Sequence, residues 1–130
     1  MSAKGIRDLH VYRKAMELQT MSRAISFCIG NRQDALHSSS SDSLRDQIAD
    51  ALLTDAVLIR KQIALAASTP SLNIRRQSLQ FISIMIRNLN SYCKGLEMDN
   101  VREREYVHLM QKELRHFRKS FKTWRKSLSS

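Results

Sequence analysis

Toward the C-terminus, Lys112, Arg115, Lys119, Lys122 and Lys126 follow one another at intervals of three and four, with Arg118 and Arg125 beside them. Residues at that spacing are surface neighbours on a helix, so the cations form one stripe. Between Lys112 and Lys126 the only acid is Glu113. The intrahelical pairing that neutralises a merely solvated face is therefore missing. Lys and Arg gain affinity for phosphates by releasing counterions, without reading sequence, and these seven residues are the candidate nucleic-acid-binding set. No aromatic residue accompanies the stripe on its exposed face, so recognition by charge and shape is expected rather than base stacking. A solvated outer face and a membrane-surface helix are the competing readings. The second is the weaker, because Phe117, Phe121 and Trp124 are already required by a core.

Other chemistry is sparse. Of the four histidines, His10, His37, His108 and His116, no two lie three or four apart, and neither Cys28 nor Cys93 stands at a metal-type spacing. The cysteines sit in apolar helical surroundings and are expected to be buried free thiols. No Gly-rich phosphate loop and no nucleophile-elbow setting occurs, so no catalytic residue, metal or cofactor is expected and the protein is read as nonenzymatic. The net charge of +10 attracts polyanions in general: nucleic acid, an anionic membrane surface or an acidic protein face. Arg75, Arg76, Arg87, Lys94, Arg13, Lys14 and Arg23 spread basic character beyond the stripe.

These side chains need helices to position them. At 130 residues the chain is expected to be one domain, residues 1–130, with three Gly and one Pro leaving long uninterrupted helix-forming stretches. A first helix is predicted over residues 8–28 from Val11, Ala15, Leu18, Ser22, Ile25 and Ile29. Gly30 and Asn31 are taken as its stop, and residues 31–42, with their serine run, as a polar loop. A second helix over 43–67 carries Ile48, Leu52, Ala56, Ile59, Ile63 and Ala66 inward. Ala51, Leu53, Val57, Leu58, Ala64 and Leu65 make it apolar over more than half its circumference, which calls for a central position or a second subunit.

Thr69 before Pro70 predicts an N-cap with proline at the first helical position of a third helix, 70–96. Its core candidates are Leu79, Ile82, Met85, Ile86, Leu89, Cys93 and Leu96, with Phe81 and Ile84 on an adjacent face. Asn100 and Glu103 resemble a capping box opening a fourth helix, 101–127, where Val107, Met110, Leu114, Phe117, Phe121 and Trp124 keep an a/d spacing. The expected fold is all-α, an antiparallel up-and-down four-helix bundle. The N-terminus, MSAKGIRDLH, has no apolar stretch of a signal peptide, and no run approaches the ~18 apolar residues of a membrane span, which predicts a cytoplasmic protein.

With these residues in place, the chain resembles the bacterial four-helix-bundle proteins encoded within ribosomal-RNA intervening sequences, and their relatives, the accessory variability determinants of diversity-generating retroelements. The specific piece is Asp8-Leu9-x-Val11-Tyr12-x-Lys14-Ala15-x-Glu17-Leu18, which looks like the superfamily's opening signature. Ala56-Val57-x-Ile59 followed by Ile63-Ala64 is similar to a second segment, with Arg60, Gln62, Leu65 and Ala66 in place of its Pro, Asn, Glu and Gly. Phe81, Ile84 and Leu89 fall where the family has F-L-x-I followed by S-L, without the acids usual after that point. The last helix, from Glu103-Arg104-x-Tyr106 through Phe121 and Trp124 to Lys126, resembles the retroelement branch, with its late tryptophan and basic end.

That resemblance implies a homo-oligomer, a pentameric basic barrel, whose partners are a reverse transcriptase and the template RNA or RNA·DNA hybrid, supporting mutagenic reverse transcription. The ribosomal intervening-sequence branch implies instead a structural or protein-interaction module without a direct nucleic-acid role. A reverse transcriptase with paired template and variable repeats beside the gene would favour the first.

Overall fold

The computed structural model describes residues 2–35, 40–97 and 104–128, and the regular structure there is helical: α1 (Ala3–Asp8), α2 (His10–Ala35), α3 (Ser40–Ser68), α4 (Leu72–Glu97) and α5 (Arg104–Leu128). The apolar spacing explains the packing. Val11, Ala15, Leu18, Ile25 and Ile29 of α2 are buried, as are Leu52, Ala56, Ile59, Ile63 and Ala66 of α3. All seven core candidates of α4 are buried too, and so are Val107, Met110, Leu114, Phe117 and Phe121 of α5. Each fully buried large aliphatic or aromatic side chain contributes about 1.5–3 kcal/mol, which overrides weak local propensity.

The four long helices form a bundle in which α2 packs on α3 and α5, and α4 packs on α3 and α5; α4 and α5 make the loosest of these seams. Cross-helix pairs fix the directions. His10 meets Ser120 and Lys14 meets Glu113, while Asn88 reaches Asp55, Glu97 meets His108, and Arg125 meets Ser83. Low numbers on one helix meet high numbers on its neighbour, so successive long helices alternate in direction.

Several expected boundaries are corrected. The first helix does not begin at Asp8: Ser2 caps a separate short α1 by accepting the Gly5 N–H at 3.1 Å, and Leu9, at φ −64° and ψ 132°, breaks the chain before α2. Gly30 and Asn31 do not end α2, which continues to Ala35; the roughly 1 kcal/mol cost of an internal glycine is too small to stop a helix already propagating. Of the polar loop expected over 31–42, residues 31–35 belong to α2 and residues 40–42 to α3, while residues 36–39 lie outside the described residues.

The tight turn between α3 and α4 is capped differently from expectation. Ser71, not Thr69, caps α4, accepting the Ile74 N–H on its hydroxyl at 3.2 Å, and Pro70 lies in the turn rather than in the helix. Thr69 Oγ1 accepts the Ser71 N–H at 3.2 Å. Arg75, counted among surface cations by sequence, instead closes the end of α3: its Nε donates to the Ala66 carbonyl at 2.9 Å and its Nη2 to the Thr69 carbonyl at 3.0 Å. Those are carbonyls a helix end leaves without intrahelical partners. The Asn100–Glu103 capping box lies outside the described residues.

Of α3's apolar excess, Leu53, Val57, Leu58 and Ala64 are half-buried against neighbours, and Leu65 stays exposed. Phe81 and Ile84 of α4 are also exposed. Cys93 is buried as expected, whereas Cys28 is only half-buried. No helix among the described residues is long and apolar enough to cross a membrane.

Candidate functional site

The basic stripe of α5 is exposed along its whole length, but neighbouring helices divide it. Arg118, Lys122 and Arg125 turn toward α4 and line a groove of about 320 Å³ together with Ser83, Ile86 and Arg87 of α4 and Phe121. Ile86 and Phe121 supply an apolar floor, and Arg125 Nη1 donates to Ser83 Oγ at 3.3 Å. Four cationic side chains thus surround one groove whose lining, among the described residues, holds no Asp or Glu. Lys112, Arg115 and Lys126 stand exposed on the outer crest of α5. Lys119 lies on the other side, at a second groove between α2 and α5 that includes Trp124.

The groove lies on the seam between α4 and α5, where like charges face one another. Like charges facing one another across a seam repel, and the repulsion disfavours close approach unless an anion intervenes. An arginine fork matches phosphate oxygens in a bidentate fashion, and a lysine beside it adds a point charge. The groove is therefore chemically suited to a phosphate, with the crest residues extending the field to neighbouring phosphates of a polymer. Arg87 is a member that the stripe on α5 could not reveal. Its signal in the sequence is its position one residue after Ile86 and four after Ser83, on the flank of α4 next to the core.

The opposite flank of α5 is compensated. Glu113 Oε2 lies 3.7 Å from Lys14 Nζ, an ion pair longer than a hydrogen bond, and Glu113 Oε1 lies 3.8 Å from His116 Nδ1. Lys14 Nζ also donates to Glu17 Oε2 at 3.1 Å. That hydrogen bond holds the Glu17 carboxyl below its ordinary value and raises the Lys14 ammonium. One turn further along, His10 Nδ1 and Ser120 Oγ share a hydrogen bond of 2.7 Å.

At the far end of the α4/α5 seam, Glu97 receives Gln111 Nε2 at 3.2 Å and meets His108 Nε2 at 3.1 Å, and these two contacts depress its carboxyl. Across α3 and α4, burial raises the Asp55 carboxyl even though Asn88 and Tyr92 hydrogen-bond to it. Burial pushes the Cys93 thiol up to about 12, where it is an inert core side chain rather than a nucleophile. α5 does carry Glu-x-x-His spacings, Glu105 with His108 and Glu113 with His116. His108 turns instead to Glu97, and no three His, Cys, Asp or Glu side chains among the described residues gather as a metal would need.

Comparison with family models, with curated proteins and with solved structures returns no match.

Proposed function

We propose that the protein is a nonenzymatic accessory protein that holds RNA, or an RNA·DNA hybrid, by its phosphates, with the α4/α5 groove as the central contact and the crest of α5 as its extension. The observation that carries this is the groove itself: Arg87, Arg118, Lys122 and Arg125 around one cleft with no acidic side chain in its lining among the described residues. A merely solvated basic face intersperses acids, as the α2 side of the same helix does. The resemblance noted in the sequence supports a finer assignment, in which the partner is a reverse transcriptase of a diversity-generating retroelement and the working form is a homopentamer in the cytoplasm.

A second reading rests on a different surface. Leu65 of α3, and Ile74, Phe81 and Ile84 of α4, are exposed apolar residues at 42%, 43%, 44% and 47% of their accessible area. Such a row favours a protein-interaction module of the ribosomal intervening-sequence kind, in which the basic charge serves solubility.

Fluorescence anisotropy with a labelled single-stranded RNA at rising salt separates the two. A strand with one phosphate in the groove and the next ones along the crest residues Lys112, Arg115 and Lys126 neutralises about four phosphates, and a plot of log K against log salt then has a slope of about −3, since each single-strand phosphate contributes roughly −0.7. Absence of binding at low salt, or a salt-independent affinity, overturns the phosphate reading and leaves the interaction module.

A further inference from the structure

The second groove plays no part in the phosphate site between α4 and α5. It is an open cleft of about 540 Å³ between the start of α2 and the end of α5. Leu9 and Val11 form apolar walls, Trp124 lines one side, and His10, Ser120 and Lys119 supply the polar edge. Trp124 occupies a core spacing yet remains half-buried, unlike Phe121 and Phe117 one and two turns earlier, because the groove opens beside it. The wall is held in place locally: the extended backbone at Leu9 separates α1 from α2, and the Leu9 N–H is tied to the Ile6 carbonyl at 3.1 Å. The 2.7 Å bond between His10 and Ser120 orients the imidazole at the edge and leaves its second nitrogen for a ligand.

Lys119 links this groove to the polyanion surface. It belongs to the basic stripe of α5 and also lines the groove, so a phosphodiester chain following the stripe passes the mouth of an aromatic-walled pocket. An aromatic side chain beside a backbone-tracking cation is the arrangement by which single strands are held, because every base offers a π-face. A paired base has no free face to offer without unpairing.

We infer that this groove accepts an unstacked nucleobase of a single-stranded nucleic acid, which stacks on Trp124 while Lys119 holds the adjacent phosphate. The inference rests on the phosphate-binding function proposed above and adds a preference for single strands over duplex. The polar edge formed by His10 and Ser120 then meets the hydrogen-bonding edge of the base.

Trp124 is the only tryptophan of the chain, so its fluorescence reports the groove directly. The full-length protein is titrated at low salt with a labelled single-stranded oligoadenylate, an abasic oligomer of the same phosphate number, and a blunt RNA duplex, with anisotropy and Trp124 emission read together. Oligoadenylate is expected to quench Trp124 and to bind about tenfold more tightly than the abasic oligomer, which binds without quenching, as does the duplex. Equal quenching by the abasic oligomer, or binding of oligoadenylate with no change in emission, overturns the base pocket while leaving phosphate binding intact. No binding by any of the three overturns both. Among variants whose helicity matches wild type, Trp124→Phe keeps the oligoadenylate preference and Trp124→Leu loses it; an unchanged preference in Trp124→Leu also overturns the pocket.

Discussion

The two flanks of α5 share one helix and one core but differ in what faces them. On the α2 side, Glu113 stands between Lys14 and His116, Glu17 adds a second carboxylate, and His10 bonds Ser120. On the α4 side, Arg118, Lys122 and Arg125 face Arg87, and among the described residues no acid lines the groove between them. α2 and α5 are in more extensive contact than α4 and α5. A basic helix becomes a candidate binding element through its neighbour. On the α2 flank the helix's own Glu113 meets the neighbour's Lys14, whereas on the α4 flank its cations meet a further arginine, Arg87, and the groove between them carries a positive field that attracts an anion.

The largest expected effect removes the support of both flanks at once. Phe117 is fully buried in the core between them, and Phe117→Ala should lower stability by about 3–5 kcal/mol in a thermal or urea melt. RNA affinity should fall together with helicity. Affinity that outlives the helices would assign binding to the basic chain rather than to the groove. Next in size is charge reversal confined to one flank. Arg118→Glu with Lys122→Glu should weaken RNA binding about 100-fold at low salt with the melt nearly unchanged, whereas Lys14→Glu should weaken it less than about threefold. Equal losses from the two flanks would erase the distinction between them.

The flanks were legible in the sequence only in part. The spacing of Val107 through Phe121, and of Leu79 through Leu96, marked the buried faces of α5 and α4, because a full turn of apolar residues leaves one way to pack. The stripe from Lys112 to Lys126 was equally visible. What spacing along one helix could not carry is which helix stands on either side. Lys119 therefore read as one of seven equivalent cations although it borders a different groove from Lys122, and Arg87 read as general charge. Arg75 shows the reverse case, a cation committed to the carbonyls of Ala66 and Thr69, a role set by a turn whose geometry Ser71 decides. Trp124 kept the core spacing, packing against Phe121, and still lines a cleft with Leu9, His10 and Val11 that spacing along one helix cannot show.

Smaller effects test the compensated flank. Glu17 is held below its ordinary value of 4.5 by Lys14, so its contribution to stability is complete above pH 4.5 and is lost as pH falls through its lower folded value. Lys14→Met should therefore lower the melting temperature at pH 7 and lose that difference at acid pH. The pair is half exposed and screened, which limits the effect to about 0.5 kcal/mol. A deficit that persists with both carboxylates protonated would assign the role of Lys14 to its methylene stem rather than to its charge.

The smallest expected change carries the most specific sign. Glu113 is the one acid within the basic stretch of α5, and its carboxylate faces Lys14 and His116 rather than the α4 groove. Glu113→Gln keeps the shape and removes the charge. Lys14 retains Glu17 at 3.1 Å, so stability should change by no more than about 0.5 kcal/mol. RNA affinity should rise about twofold at low salt, because one negative charge has left the helix, and the gain should vanish once the Debye length falls to about 3 Å near 1 M salt. A loss of affinity instead would mean that the Glu113 carboxylate orients a residue that touches RNA, and the α2 flank would then belong to the binding surface.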